Sequence, residues 1–409
     1  MTKEGSGIEA ARFGKIRKVA EKAKEAEIPK RDRREEVIKQ VGEDSLNFEE
    51  PDVKERSIKK YWEYREGSPE MPVVFVIPHS QKPSAMEMAG LLREKFPKRD
   101  MEELNSLAKK WIVASSSEKP HKVLSSDHLD YTVYDSIQRL RDVNEVQTSE
   151  IVGETTNRMD QEEKPAVLAS KRSRMFGDPN RPSFFHKPTG VGKRGKENFI
   201  QTKEYPTSVR ASWYWALEKK LKDSMGLDAD GKLLKPFLQI AIHGMKDRKM
   251  ESGESAYDVV IGGGNLAKGE AGELASPEVL DWFSKNMAEK LTQVEDCREM
   301  RVAIDRKGKE EVEIFELGED NEVIKKEAQK VGPGLSGAGL GLEFFRHGKT
   351  YKVEDLGGNT RELKLPGLGK NFNTIQLEIS RKIRGNSLLR ETFSKILAEL
   401  AVDFKRDFK

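Results

Sequence analysis

The sequence predicts an α/β protein in which a mixed, twisted sheet carries helices on both faces. Short apolar runs such as Val73–Ile77 and residues 237–242 are typical of strands buried on both faces. Segments with helical periodicity separate these runs, and the last of them, residues 387–404, carries a single apolar stripe. Strands that alternate with helices indicate a sheet covered by helices.

The sequence predicts a charged helical extension, residues 1–70, followed by an α/β domain, residues 71–409. In the extension, the stretches IEAARFGKIRKVAEKAKEAEI and DRREEVIKQVGEDSL are predicted helices. Residues 164–203 hold ten Lys and Arg against two acids, which predicts a basic loop inserted into the domain. The predicted strands are 73–77, 111–115, 237–242, 257–261, 301–304, 312–315 and 374–379. The predicted helices are 85–96, 131–143, 208–225, 277–295 and 387–404.

Composition excludes several classes of protein. A single cysteine, Cys297, rules out a disulfide framework and a cysteine-based metal cluster, and it indicates a reducing compartment. A net charge of only +3, with 35% charged residues of both signs, gives no overall nucleic-acid signature. No stretch approaches the ~18 apolar residues of a membrane span, so we expect a cytoplasmic protein with no membrane partner.

Polar residues stand at the ends of three predicted strands. Pro78, His79 and Ser80 follow the first strand, and His243 follows the second. In the third, FNTIQLEIS, the alternation puts Gln376 and Glu378 on the face opposite the apolar residues. Ligands of open α/β sheets bind outside the carboxyl ends of the strands, so these ends predict a site.

Two imidazoles and a carboxylate are the ligand set of a catalytic zinc site, which keeps one position open for water. A further carboxylate then serves as general base and later as acid to the leaving amine. Zinc is the first choice, and manganese and iron are alternatives with the same ligand types. For Glu378, a structural salt bridge to Arg381 or Arg384 is the alternative.

Six short motifs occur in the order VIPHS, HLDYTVYDSI, TTNRMD, IAIHG, YDVVIGG and TIQLEISR. Together they resemble the N-formylglutamate amidohydrolase family, relatives of the zinc carboxypeptidases. The resemblance covers roughly residues 72–160 and 236–384. It implies a zinc-carboxypeptidase/phosphorylase-hydrolase-like fold and a metal-dependent amidohydrolase.

The resemblance also implies a ligand set. His79 and His243 match the metal-binding histidines, and Asp130 matches the aspartate that opens a helix and would be the third ligand. The residues Glu87, Asp127 and His128 compete for that third position.

The remaining roles follow in the same way from the resemblance. Glu378 matches the glutamate of the last strand and would be the general base. Arg158 matches an arginine that holds a substrate carboxylate, for which a guanidinium fork is well shaped. Ser80, in the Pro-His-Ser segment, is the second expected substrate-binding residue. A structural ion pair is the alternative for Arg158.

The sequence departs from the family where a substrate would lie. Gln81 replaces the glycine after Pro-His-Ser, and Gly244 and Met245 follow the second histidine. We therefore expect an amide bond in a small or peptide-like anionic substrate, and not N-formylglutamate in particular. The alternative is a non-catalytic protein that binds polyanions or nucleic acid through residues 164–203, although a nucleic-acid partner is not the favoured expectation. The sequence carries no signal for an oligomeric state.

Overall fold

A nine-stranded mixed sheet lies at the centre of the computed structural model. The structure describes residues 37–39, 51–79, 89, 100–116, 147–171, 206–224, 226–245, 247–250, 253, 255–307, 309–331, 342–354 and 360–408. The strands of this part of the chain are β1 (Val37–Lys39), β2 (Trp62–Arg65), β3 (Val73–Ile77), β4 (Ala166–Ser170), β5 (Phe237–Gly244), β6 (Arg248–Lys249), β7 (Ser255–Tyr257), β8 (Val259–Asn265), β9 (Val302–Lys307), β10 (Glu311–Leu317), β11 (Val323–Gln329), β12 (Lys349–Glu354), β13 (Thr360–Leu365) and β14 (Phe372–Ile379). The α-helices are α1 (Pro51–Tyr61), α2 (Met101–Ser116), α3 (Gln147–Asn157), α4 (Pro206–Ser224), α5 (Pro277–Thr292), α6 (Phe344–His347), α7 (Arg381–Gly385) and α8 (Ser387–Asp407).

The large sheet has the strand order β11-β10-β9-β8-β14-β5-β3-β4-β2. Strands β14, β5, β3 and β4 run parallel to one another, so their carboxyl ends share one edge. Strand β8 is antiparallel to β14, and β2 is antiparallel to β4. The predicted mixed sheet is confirmed, with β3, β5 and β14 among its inner strands. Two smaller sheets, β1-β12-β13 and β6-β7, complete the described strands.

Helices cover both faces of the sheet, as predicted. On one face, Ile375, Leu377 and Ile379 pack into a core with apolar residues of α3, α5 and α8. On the opposite face, Val74 and Phe237 pack against the aromatic residues of α4. Phe372 of β14 also lies in this second core, so the period-2 alternation of the strand divides β14 between the two cores. None of the described helices is long and apolar enough to cross a membrane.

One predicted strand is wrong. Residues 111–115 lie in the helix α2 and not in the sheet. A short apolar run cannot be told from a buried helix segment by its own residues. The preceding turns decide the matter, because Leu104, Leu107 and Ala108 are buried at helical spacing.

Two other segments differ from the prediction. Val37–Lys39, inside a predicted helix, forms a strand parallel to β12, which suits its two β-branched residues. The predicted basic loop begins with the buried strand β4, because Ala166–Ser170 is apolar enough to pair with β3. The extension also supplies α1 and the edge strand β2.

Some predicted segments lie outside the described residues. These are residues 172–203 and the predicted helices 131–143 and 85–96, except Ala89.

Candidate functional site

His79 lies just beyond the carboxyl end of β3. The strand ends at Ile77, and Pro78 and His79 form a bend. Proline has no N–H to donate to a neighbouring strand, so the ladder stops here and the chain can turn. The His79 side chain is turned inward, since the residue is only 2% exposed.

His243 is the penultimate residue of β5 and is also 2% exposed. Because β3 and β5 are adjacent and parallel, their carboxyl ends meet. The two imidazoles contact each other edge to face, with ring centroids 4.7 Å apart and planes inclined at 65°. The structure thus brings together the two histidines that the sequence singled out.

Glu378 joins the pair from the neighbouring strand. It is the register partner of His243 in the parallel pairing of β14 with β5, so both side chains leave the sheet on the same face. The Nε2 of Gln376 donates a hydrogen bond of 2.9 Å to Glu378 Oε1. The predicted polar face of β14 is therefore observed, and an amide fixes one oxygen of the carboxylate.

The donor chemistry of this edge fits two of the ligands of a zinc site. Neutral imidazoles bind zinc at ~2.0–2.1 Å, which requires two rings in near contact, as His79 and His243 are. Within the described residues, no group of three or more His, Cys, Asp or Glu is placed to hold a metal ion. The predicted third ligand Asp130 and its competitors Glu87, Asp127 and His128 lie outside the described residues, as does Ser80.

Arg158 is not brought to the histidine pair. It follows the last residue of α3, is exposed, and pairs through Nη2 with Glu391 Oε1 of α8 at 2.5 Å. The first residue of α3, Gln147, accepts a hydrogen bond from Arg384 beside the carboxyl ends of β5 and β14. The 11-residue helix separates the two ends by about 16 Å. Glu391 is thus an acid partner of the kind that a structural ion pair, the alternative role of Arg158, requires.

Sequence reasoning missed the contacts of Arg384. Its guanidinium donates to the carbonyl oxygens of Ile379 and Met245, both at 3.0 Å. Arg384 entered the prediction only as an ion-pair partner for Glu378. No spacing rule connects a residue in a later helix to two strand ends, so no sequence pattern predicts this arrangement.

The fold and the site define a mixed α/β protein with a buried histidine pair and a carboxylate at one sheet edge. No family model and no curated protein matches the chain. Among solved structures, it is similar to an N-formylglutamate amidohydrolase from Ralstonia eutropha, at 12% identity and a TM-score of 0.43, over 85% of this chain and 99% of that one. It is also similar to a gene product from Agrobacterium tumefaciens, at 10% identity and a TM-score of 0.39, over 85% and 96%. Both likenesses are distant, and neither assigns a function to this chain.

Proposed function

We propose that this protein is a metal-dependent hydrolase of amide bonds. The observation that carries the proposal is the contact of His79 with His243, two buried imidazoles at the carboxyl ends of adjacent parallel strands. Burying two such rings in contact, with a carboxylate from the next strand on the same face, suits a shared cation. His79 and His243 would hold one divalent ion, zinc as first choice, with Asp130 as the expected third ligand.

In such a site, zinc supplies Lewis acidity toward a carbonyl oxygen and makes water a stronger acid. Glu378 then acts as the general base. Its carboxylate takes one proton from the attacking water and passes that proton to the nitrogen that leaves when the C–N bond breaks. Gln376 holds the Glu378 carboxylate through a hydrogen bond to Oε1, which orients the general base.

The expected substrate is a small or peptide-like amide that carries a carboxylate. The motif resemblance supports this class. The position of Arg158, paired with Glu391, gives that arginine no part in binding the substrate in our proposal.

Metal analysis tests the proposal directly. The full chain, purified after expression with added zinc, is expected to carry about one ion, and the double variant His79→Ala/His243→Ala is expected to carry none. His347→Ala is the matched control, because His347 is exposed and its Nε2 contacts the Glu273 carbonyl oxygen at 3.1 Å. Circular dichroism checks that all three proteins are folded.

The same proteins are then assayed on N-formyl and N-acetyl amino acids and on the corresponding amides without a carboxylate. Hydrolysis by wild type and His347→Ala, and none by the double variant, is the expected result. Full metal in the folded double variant would contradict the ligand assignment.

A further inference from the structure

Arg384 ties three elements together beside the candidate site. Its Nε donates to Ile379 O at the end of β14, and its Nη2 donates to Met245 O just after β5. Its Nη1 donates to Gln147 Oε1 at the start of α3, at 3.2 Å. The residue is only 7% exposed.

These contacts continue the strand pairing beyond its last residues. The register of β14 with β5 ends at Ile379 and Gly244, and Met245 N donates to Ile379 O at 2.9 Å. The Arg384 guanidinium spans the same two strands from Ile379 O to Met245 O. It therefore fixes the strand ends directly beyond Glu378 and His243.

Gly244 provides the space for this guanidinium. A Cβ at Gly244 would lie 2.4 Å from Arg384 Cζ and 2.7 Å from its Nε. A side chain at residue 244 would therefore occupy the space of the Arg384 guanidinium, which explains the glycine directly after His243.

We propose that Arg384 is a positioning residue that sets the placement of His243 relative to Glu378. The role of Arg384 in placing a metal ligand rests on the proposed function, whereas its hydrogen bonds are observed independently of that function. The acceptors Ile379 O, Met245 O and Gln147 Oε1 belong to three different elements and each takes a different guanidinium nitrogen, so the single nitrogen of a lysine cannot reproduce all three contacts.

Arg384→Lys keeps the charge and removes the fork. Residues that orient metal ligands typically change metal affinity 10- to 100-fold, so we expect Co²⁺ affinity, measured by competition with a chelating dye, to fall by at least ~10-fold. We also expect the visible spectrum of the Co²⁺ protein to change. The matched control is Arg346→Lys: Arg346 is similarly buried and donates to Asn373 Oδ1 at the opposite end of β14. Its Co²⁺ affinity and spectrum are expected to match those of wild type.

Gly244→Ala tests the same contact with Arg384 intact, and it is expected to weaken Co²⁺ binding in the same direction. Gly153→Ala is its control, because a Cβ at Gly153 meets nothing within 4 Å. Gln147→Ala removes only one of the three acceptors and gives a milder variant if Arg384→Lys fails to fold.

Nuclear magnetic resonance of ¹⁵N-histidine in the metal-free proteins separates this inference from the proposed function. We expect the ring signals of His243 to shift in Arg384→Lys and Gly244→Ala and to stay in place in Arg346→Lys. If wild type binds no Co²⁺ but the His243 signals shift as expected, the proposed function fails and the positioning role stands. If Arg384→Lys leaves both the His243 signals and the Co²⁺ affinity unchanged, the positioning role is overturned.

Discussion

Buried polar groups have different kinds of partner in the outer strands of the large sheet and at the carboxyl edge of its inner strands. In the outer strands, Glu313 of β10 lies among three cations, with Lys325 Nζ at 2.9 Å, Arg306 Nε at 3.5 Å and Lys309 Nζ at 3.7 Å. Nearby, the buried Asp305 of β9 pairs with Lys330. Each acid here faces an opposite charge from a neighbouring strand or turn, which is the arrangement of a structural ion-pair network.

At the carboxyl edge, the contacts are of another kind. Two imidazoles touch each other, and a neutral amide donates to the carboxylate of Glu378. These are groups that bind cations and transfer protons. Under the proposed function, the outer network serves stability and the carboxyl edge serves chemistry, and substitutions in the two regions should separate the two properties.

The largest expected effect comes from Glu378→Gln. The substitution keeps the shape of the side chain and removes its basicity. General acid–base catalysis typically contributes ~10²–10⁴-fold, so we expect kcat on the amide found to be a substrate to fall by at least ~10²-fold. Metal content and the free energy of unfolding are expected to stay close to those of wild type, as measured by elemental analysis and urea denaturation.

Gln376→Glu is a useful companion to that variant. It replaces the donor to Glu378 Oε1 by a second carboxylate, and like charges at this distance should raise the pKa of the pair. We expect the pH at which activity rises to move upward.

A Glu378→Gln protein that turns over at the wild-type rate with metal bound would remove Glu378 from the mechanism.

The inner part of this fold was predictable because its signals are local. Val73–Ile77 is apolar throughout and residues 237–242 are apolar except for Gln239, a pattern typical of strands covered on both faces. The convergence of His79 and His243 followed from one rule, that parallel strands present their carboxyl ends at one edge. Neither step needed long-range information.

The features that sequence reasoning left out depend on long-range pairing. The strand β4 sits in a segment whose overall composition is basic, and only its pairing with β3 and β2 identifies it. Arg158 follows the end of α3 away from the histidines, a position that depends on the direction of the helix across the sheet. The contacts of Arg384 depend on a turn after β14, which sequence periodicity does not encode.

A smaller effect is expected from Glu313→Gln in the outer network. Burial alone would raise the pKa of Glu313, but its hydrogen bond to Lys325 and the charges of Arg306, Lys325 and Lys309 lower it below its ordinary range. The ion pairs therefore stabilise the fold above the ordinary pKa of a glutamate and lose that contribution as pH falls through the lowered value. We expect the substitution to lower the free energy of unfolding at pH 7 by about 1–3 kcal/mol.

Urea denaturation from pH 7 down to about pH 3 checks the sign, since the ordinary pKa of glutamate is ~4.3. The difference between wild type and Glu313→Gln should shrink on acidification, because Glu313 loses its negative charge as it takes up a proton and its ion pairs weaken. Co²⁺ affinity should be unchanged at pH 7. Weaker Co²⁺ binding would show that the outer network also supports the site, and would break the comparison between the two regions.

The smallest effect is expected from Lys309→Ala. Lys309 has a side chain that is 39% exposed and lies 3.7 Å from Glu313 Oε1 and 3.4 Å from Glu327 Oε1. Exposed ion pairs typically contribute 0.2–1 kcal/mol and are screened by salt, so we expect a loss in that range at low salt and almost none near ~1 M salt. A double-mutant cycle with Glu313→Gln isolates the coupling between the two side chains. A coupling that persists in high salt would mean that Glu313 is shielded from solvent on the Lys309 side as well, and the outer network would then be a closed core of charges rather than a partly solvated surface.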